Sequence, residues 1–176
     1  MTERYADTGR VRRFVRWSAA KKPVSLFYAR VLHRIDRVVY RRTRGRTTFA
    51  AWLSGLPVVM LTTTGARSGR QITSPILGFP DDDDMVVIAS NYGQARHPAW
   101  YHNLRAHPRA RLAVDGVGRD VEAEELASPE RERFLALACE VYPGFTAYVE
   151  RAAPRRIAVF RLRVIPPGGI GTMTGE

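Results

Sequence analysis

The stretch PVVMLTTTGARSGRQITSPILGFPDDDDMVVIAS, residues 57–90, decides the fold. Its β-branched runs are interrupted at short intervals by turn formers, the pattern of strands joined by tight connections. Pro57–Thr64 reads as a first strand ending at Gly65, Ile72–Phe79 as a second and Met85–Ala89 as a third. Pro80 and the four aspartates Asp81 to Asp84 supply hairpin turn chemistry between the last two. Consecutive side chains cannot all face one ion, so the aspartates read as a solvated turn and not as a metal site.

Working outward toward the C-terminus, Pro98 suits the first turn of a helix over 97–106, and Pro108 helps to stop it. Trp100, Tyr101 and Leu104 can share its buried side. His97, His102 and His107 are five apart and fan out around a helix, which excludes a zinc triad. Arg109–Val114 and Gly118–Leu126 alternate polar with apolar residues around Asp115-Gly116, a strong hairpin signal. Ser128-Pro129-Glu130 combines an N-cap hydroxyl, a first-turn proline and an acid at the positive helix end, starting a helix that reaches Tyr142. Cys139 sits on it among Leu135, Ala138 and Val141 and reads as a packed, inert thiol. Pro143-Gly144 breaks that helix, Phe145–Arg151 forms another turn or two, and Ile157–Ile165 alternates as a last strand. The Gly-rich tail carries Gly169-Ile170-Gly171, which no helix follows, so it is no dinucleotide fingerprint. Some six short strands with late helices predict an α+β fold, mainly β: a small antiparallel barrel with helical additions.

Working outward toward the N-terminus, charge becomes the informative quantity. Of 28 basic and 17 acidic side chains in 176 residues, residues 1–46 hold 14 basic and 3 acidic, so the whole net charge of +11 sits in this arm and the rest is neutral. Val24, Phe27, Val31, Ile35 and Val38 recur at helical steps, and Arg30, Arg34, Arg37 and Arg41 follow the same steps on another face. Such a basic amphipathic helix can lie on an anionic membrane surface, or its stripe can pack on the protein's own core with the arginines solvated. Nucleic acid is not expected as a partner, because the arm lacks a second recognition element. No apolar run approaches the about 20 residues of a membrane-spanning helix. With one cysteine and no secretory pattern, the expectation is a cytoplasmic protein, with peripheral attachment at the inner face of the cell membrane if the arm engages lipid. The division expected is an arm over 1–46, a barrel over 47–166 and a tail over 167–176.

Two segments invite chemistry. Thr62 to Arg70 joins two strands with two glycines, four hydroxyls and Arg67 and Arg70, which suits a phosphate cradle. It is equally an ordinary strand connection, and it lacks the Gly-Lys-Ser/Thr ending of a Walker loop. Ala89-Ser90-Asn91-Tyr92-Gly93 and the following HPAWYHN (97–103) could hold a flat ring edge-on, or Trp100 and Tyr101 could simply be core.

Taken in order and spacing, LTTTGARSGR, TSPILGF, VVIASNYGQARHPAWYHNL and the later VYPGF with its following tyrosine resemble the deazaflavin-dependent nitroreductase family of actinobacteria, over roughly residues 50 to 165. The resemblance implies a split, FMN-binding-like antiparallel β-barrel, preceded by the amphipathic helix. It also implies coenzyme F(420), an 8-hydroxy-5-deazaflavin with a phosphate and a polyglutamate tail, and hydride transfer to a quinone or nitroaromatic acceptor. By the same likeness, Arg67, Ser68 and Gly69 match the phosphate loop, and Thr73, Ser74, Pro75, Ile76 and Leu77 the strand lining the ring. Ile88, Ala89, Ser90 and Asn91 match the segment at the ring edge, and Ala99, Trp100, Tyr101 and Asn103 the helix closing the cofactor groove. Ser90 would stabilise negative charge on the acceptor, with Tyr142 or Tyr148 as proton donors. Phe145 stands where the family can carry a middle tyrosine, which puts nitroimidazole-type activity in doubt. Ala66 and Ile72 replace basic residues of the loop and next strand, and Arg70 can compensate. The rivals are an FMN- or haem-binding split barrel and a non-catalytic module for anions or membranes.

Overall fold

A computed structural model describes residues 58–141 and 145–166. The arm, the tail, Pro57 and Tyr142 lie outside the described residues, as does the expected boundary at 46. Six strands form a closed antiparallel barrel: β1 (Val58–Thr64), β2 (Gln71–Asp81), β3 (Asp84–Ile88), β4 (Arg109–Val114), β5 (Val117–Glu125) and β6 (Val159–Val164). Their order around the barrel is β1-β2-β3-β6-β5-β4, and β1 closes on β4. Three α-helices accompany them among the described residues: α1 (Ala99–Ala106), α2 (Glu130–Val141) and α3 (Phe145–Ala152).

The hairpins follow from turn chemistry. Asp115 and Gly116, both at positive φ, make the two-residue turn between β4 and β5. Between β2 and β3 the turn is Asp82-Asp83, because Asp81 and Asp84 pair with each other at the strand ends. The solvated-turn expectation therefore holds for the middle two aspartates and fails for the outer two. Asp81 accepts two hydrogen bonds from Arg161, at 2.9 and 3.1 Å, and Arg161 also reaches Glu130 at 2.6 Å, joining barrel to α2. Asp84 accepts from the Val164 amide at 3.1 Å. No group of three metal-binding side chains occurs among the described residues. The Ser128 side chain, two residues before the start of α2, is the first cause holding the Glu132 carboxyl below its ordinary range.

Two cores share the strands. Val59, Leu61, Ile76, Met85, Val87, Leu112, Val121, Phe160 and Leu162 fill the interior, with Trp100, Tyr101 and Leu104 of α1 packed against them. Phe79, Val86, Ile88 and Val159 face outward under Phe134, Ala138, Phe145, Tyr148 and Ala152 of α2 and α3. Each fully buried aliphatic or aromatic side chain contributes about 1.5–3 kcal/mol by leaving water, so both cores matter on the scale of a domain's stability. Cys139 is half-buried beside the outer core, as a packed thiol should be.

The Arg161–Asp81 pair is largely withdrawn from water, with side chains 15% and 16% exposed. Arg161→Leu leaves the Asp81 carboxylate short of its main partner and should cost about 2–3 kcal/mol in urea unfolding. Asp81→Asn added to it should recover part of that loss. A coupling below about 0.5 kcal/mol between the two changes would show that the pair does not act as a unit.

Candidate functional site

The loop between β1 and β2 is folded on itself. Gly65 N–H donates to Arg70 O and Gly69 N–H to Gly65 O, each at 2.8 Å, while Arg70 N–H reaches Ser68 Oγ at 3.3 Å. The amides of Arg67 and Ser68 have no partner among the described residues, and Arg67 through Arg70 are exposed. Neither Arg67 nor Arg70 forms an ion pair there. Two idle N–H donors beside two uncompensated guanidinium groups suit an anion with several oxygens, as a phosphate is.

What fixes this loop is Asn103. Its Oδ1 accepts from Ala66 N–H at 3.0 Å and its Nδ2 donates to Thr63 Oγ1 at 2.9 Å, with both side chains buried. Asn103 is thus a strut between α1 and the loop, with its polar atoms spent inside the protein. Trp100 and Tyr101 are 6% and 7% exposed and meet the Phe160 ring edge-on at 6.1 and 5.8 Å, so they are core, while Ala99 is exposed at the helix start.

The strand expected to line a ring cannot present all five residues to it. Ile76 belongs to the interior core and Leu77 packs on the outer one, and the two-residue period places Ser74 with Ile76 and Thr73 and Pro75 with Leu77. Thr73 Oγ1 meets Thr62 Oγ1 at 2.8 Å across the pair. Ile88 and Ala89 divide in the same way, Ile88 to the outer core and Ala89 to the inner.

Ser90 follows at the point where pairing ends. Its N–H is committed to Ile88 O at 2.9 Å and its carbonyl accepts from Gly93 N–H at 3.0 Å, but its hydroxyl has no partner among the described residues. With the N–H committed, the hydroxyl is the Ser90 group available to an acceptor. Asn91, Tyr92 and Gly93 then occupy three successive left-handed conformations, with φ of 48°, 55° and 73°. Asn91 Nδ2 ties the turn to Arg96 O at 2.8 Å, and Tyr92, 36% exposed, sits edge-on to Tyr148 at 6.1 Å. Phe145 and Tyr148 are 2% and 6% exposed in the outer core. Phe145 packs in that core, where its ring lies 5.8 Å from that of Tyr148. Tyr148 borders the turn after Ser90.

Sequence reading missed Arg155. From the connection between α3 and β6 its guanidinium donates to Ala89 O at 3.0 Å, Ser90 O at 2.7 Å and Gln94 O at 3.0 Å, and it lies 3.4 Å from His97 Nδ1. No local pattern marks such a residue, since its partners are some sixty positions away. His97 stacks on Tyr101 at 3.8 Å. Burial first, then the charges of Arg155, His102 and Arg105, push its pKa below the ordinary imidazole value.

Comparison with known proteins enters here. A family model described as F(420)H(2)-dependent quinone reductase matches residues 32–163. A Mycobacterium tuberculosis protein bearing that description is 30% identical over 108 residues, 60% of this chain and 91% of that one. A second from the same species is 36% identical over 84 residues, 47% of this chain and 55% of that one. A solved F(420)H(2)-dependent reductase superposes with a TM-score of 0.56 at 34% identity, covering 61% of this chain and 94% of that one.

The neutral state of His97 has a measurable consequence. The unfolded chain takes up a proton at about pH 6.5 while the folded imidazole resists it. Stability should therefore fall as pH drops through that value and level off below the folded pKa. His97→Gln should remove this component, seen as a smaller decline in melting temperature between pH 8 and pH 5. Parallel declines in both proteins would assign the effect to other groups.

Proposed function

The chain belongs to the F(420)H(2)-dependent quinone reductase family, and from this we propose that it binds reduced coenzyme F(420) at the Gly65–Arg70 loop and reduces a quinone. The observation that carries the binding mode is the loop itself, with the idle amides of Arg67 and Ser68 and the unpaired Arg67 and Arg70 side chains. Those groups fit the cofactor's phosphate, and Asn103 keeps them in place without being consumed by the ligand.

When bound, the reduced deazaflavin supplies the hydride; the protein supplies position and electrostatics. Arg67 and Ser68 would hold the phosphate through backbone N–H, and the Arg67 and Arg70 guanidinium groups would add charge. The Ser90 hydroxyl donates to the acceptor oxygen as negative charge grows on it, which lowers the barrier because the donor is already in place. Tyr148, beside the same turn, is the described residue suited to deliver the proton that completes the quinol. A quinone is favoured over a nitroimidazole because it is the acceptor in the description of the family.

Fluorescence titration with the deazaflavin and turnover of menadione test these roles separately. Arg67→Ala should weaken cofactor binding roughly 10-fold or more, the scale of a charge-assisted contact. Ser90→Ala should lower turnover on the order of 10- to 100-fold with cofactor affinity nearly unchanged. Unchanged turnover in the second variant would remove Ser90 from the mechanism, and tight FMN retention without deazaflavin binding would overturn the cofactor assignment.

We also propose that the basic arm brings the enzyme to anionic lipid, where a lipid-soluble quinone would share its interface. The charge confined to residues 1–46 supports this, since each arginine near such a surface contributes on the order of 1 kcal/mol. Co-sedimentation with anionic vesicles should be strong at low salt and weak at high salt, and Arg30→Glu with Arg34→Glu should abolish it. Equal binding by both proteins, or none by either, would show that the arm's charge merely faces water.

A further inference from the structure

Arg155 does more than fill space. A guanidinium presents five N–H donors in a rigid plane, and here three carbonyls are gathered onto that plane by Nε (Gln94), Nη1 (Ala89) and Nη2 (Ser90). All three acceptors belong to the segment that bears Ser90. With its N–H held by Ile88 O and its carbonyl shared between Arg155 and Gly93, Ser90 has a fixed backbone, and only its hydroxyl remains free to turn.

The segment beyond it would not stay put unaided. Left-handed backbone at a non-glycine residue is costly and persists only where the surroundings impose it, and Asn91 and Tyr92 are two in succession. Gly93, third in the series, lies so close to α3 that a Cβ there would stand 2.9 Å from Tyr148 O. The turn is therefore pinned at both ends: on one side by Arg155 to Ala89, Ser90 and Gln94, on the other by contact with the backbone of Tyr148. Loss of the first pin would let the turn relax and carry Ser90 out of register with α3.

We propose that Arg155 is a positioning residue for the reaction, holding the Ser90 hydroxyl where the acceptor oxygen meets it; this rests on the quinone reductase reading given above. It acts through Ser90 and not through the cofactor loop, which is fastened independently by Asn103 to Thr63 and Ala66.

The test uses the whole chain with Arg155→Lys, which keeps the charge but not the fork, and Arg155→Gln in case the first does not fold. Each is made alone and with Ser90→Ala. Menadione kcat and KM, the deazaflavin dissociation constant from fluorescence, and amide hydrogen exchange are measured. Expected are a fall in kcat of about 10-fold in the Ser90 background, a fall of less than about 2-fold in the Ser90→Ala background, and a cofactor dissociation constant unchanged within about 2-fold. Exchange should quicken at Ser90 to Gln94 and stay as it was at Gly65 to Arg70. Equal losses in the two backgrounds would mean a merely structural arginine, and a parallel loss of cofactor affinity would place its effect at the wrong end of the site. A silent Ser90→Ala, or exchange unaltered at Ser90 to Gln94, would each overturn the proposal. Failure of the parent chain to reduce menadione would sink the reductase reading instead, and the exchange data alone would then decide whether Arg155 holds Ser90.

Discussion

The two-residue period of a β-strand, applied to a barrel with helices packed on its outside, governs most of this molecule. Every strand must serve the interior with alternate residues, and the strands beneath α2 and α3 must serve a second core with the others. β3 shows the demand most plainly: Met85 and Val87 point inward, Val86 and Ile88 outward, and all four are buried. Such a strand has no face left for a ligand. Functional groups are accordingly pushed to the strand ends, where alternation stops and backbone polar atoms come free. The Gly65–Arg70 loop lies at one such end and Ser90 at another.

Arginine is used in two distinct ways across the described residues. Some arginines neutralise carboxylates, as Arg161 does between Asp81 and Glu130. Others act as organisers of backbone, as Arg155 does with three carbonyls and Arg131 with Ile157 O at 2.8 Å. A planar, permanently charged donor suits both, and a neutral barrel with many arginines need not be one that binds polyanions. The loop arginines Arg67 and Arg70 stand apart because neither use is visible for them.

Much of the architecture was legible because it is local. Alternation marked the strands, Asp115-Gly116 marked a turn whose φ values only such residues adopt cheaply, and Pro98 marked the entry to α1, which begins one residue later. Asn91 and Gly93 are residue types that tolerate the left-handed turn, although on sequence alone that stretch reads only as a strand end. What stayed hidden is what depends on distance in sequence. Nothing near Asn103 reveals that its amide will bridge Thr63 and Ala66, and nothing near Arg155 points to Ser90. The five residues expected to line a ring from β2 divide between two faces for the opposite reason: a motif carried over as a continuous run ignores that neighbours in a strand face opposite ways.

The place of β6 has a consequence for how the chain is made. The last strand in sequence inserts between β3 and β5, pairing with both. A nascent chain that has already built β1 to β5 thus carries two unsatisfied sheet edges, one on the β1-β2-β3 meander and one on the β4-β5 hairpin, until residue 164 has left the ribosome. Open edges are templates for pairing with other chains. Since β6 also contributes Val159, Phe160 and Leu162 to the two cores, neither can be completed earlier. Folding is therefore bound to finish late and all at once, with the window for misassociation set by the time needed to synthesise the helices α2 and α3 that separate β5 from its final neighbour.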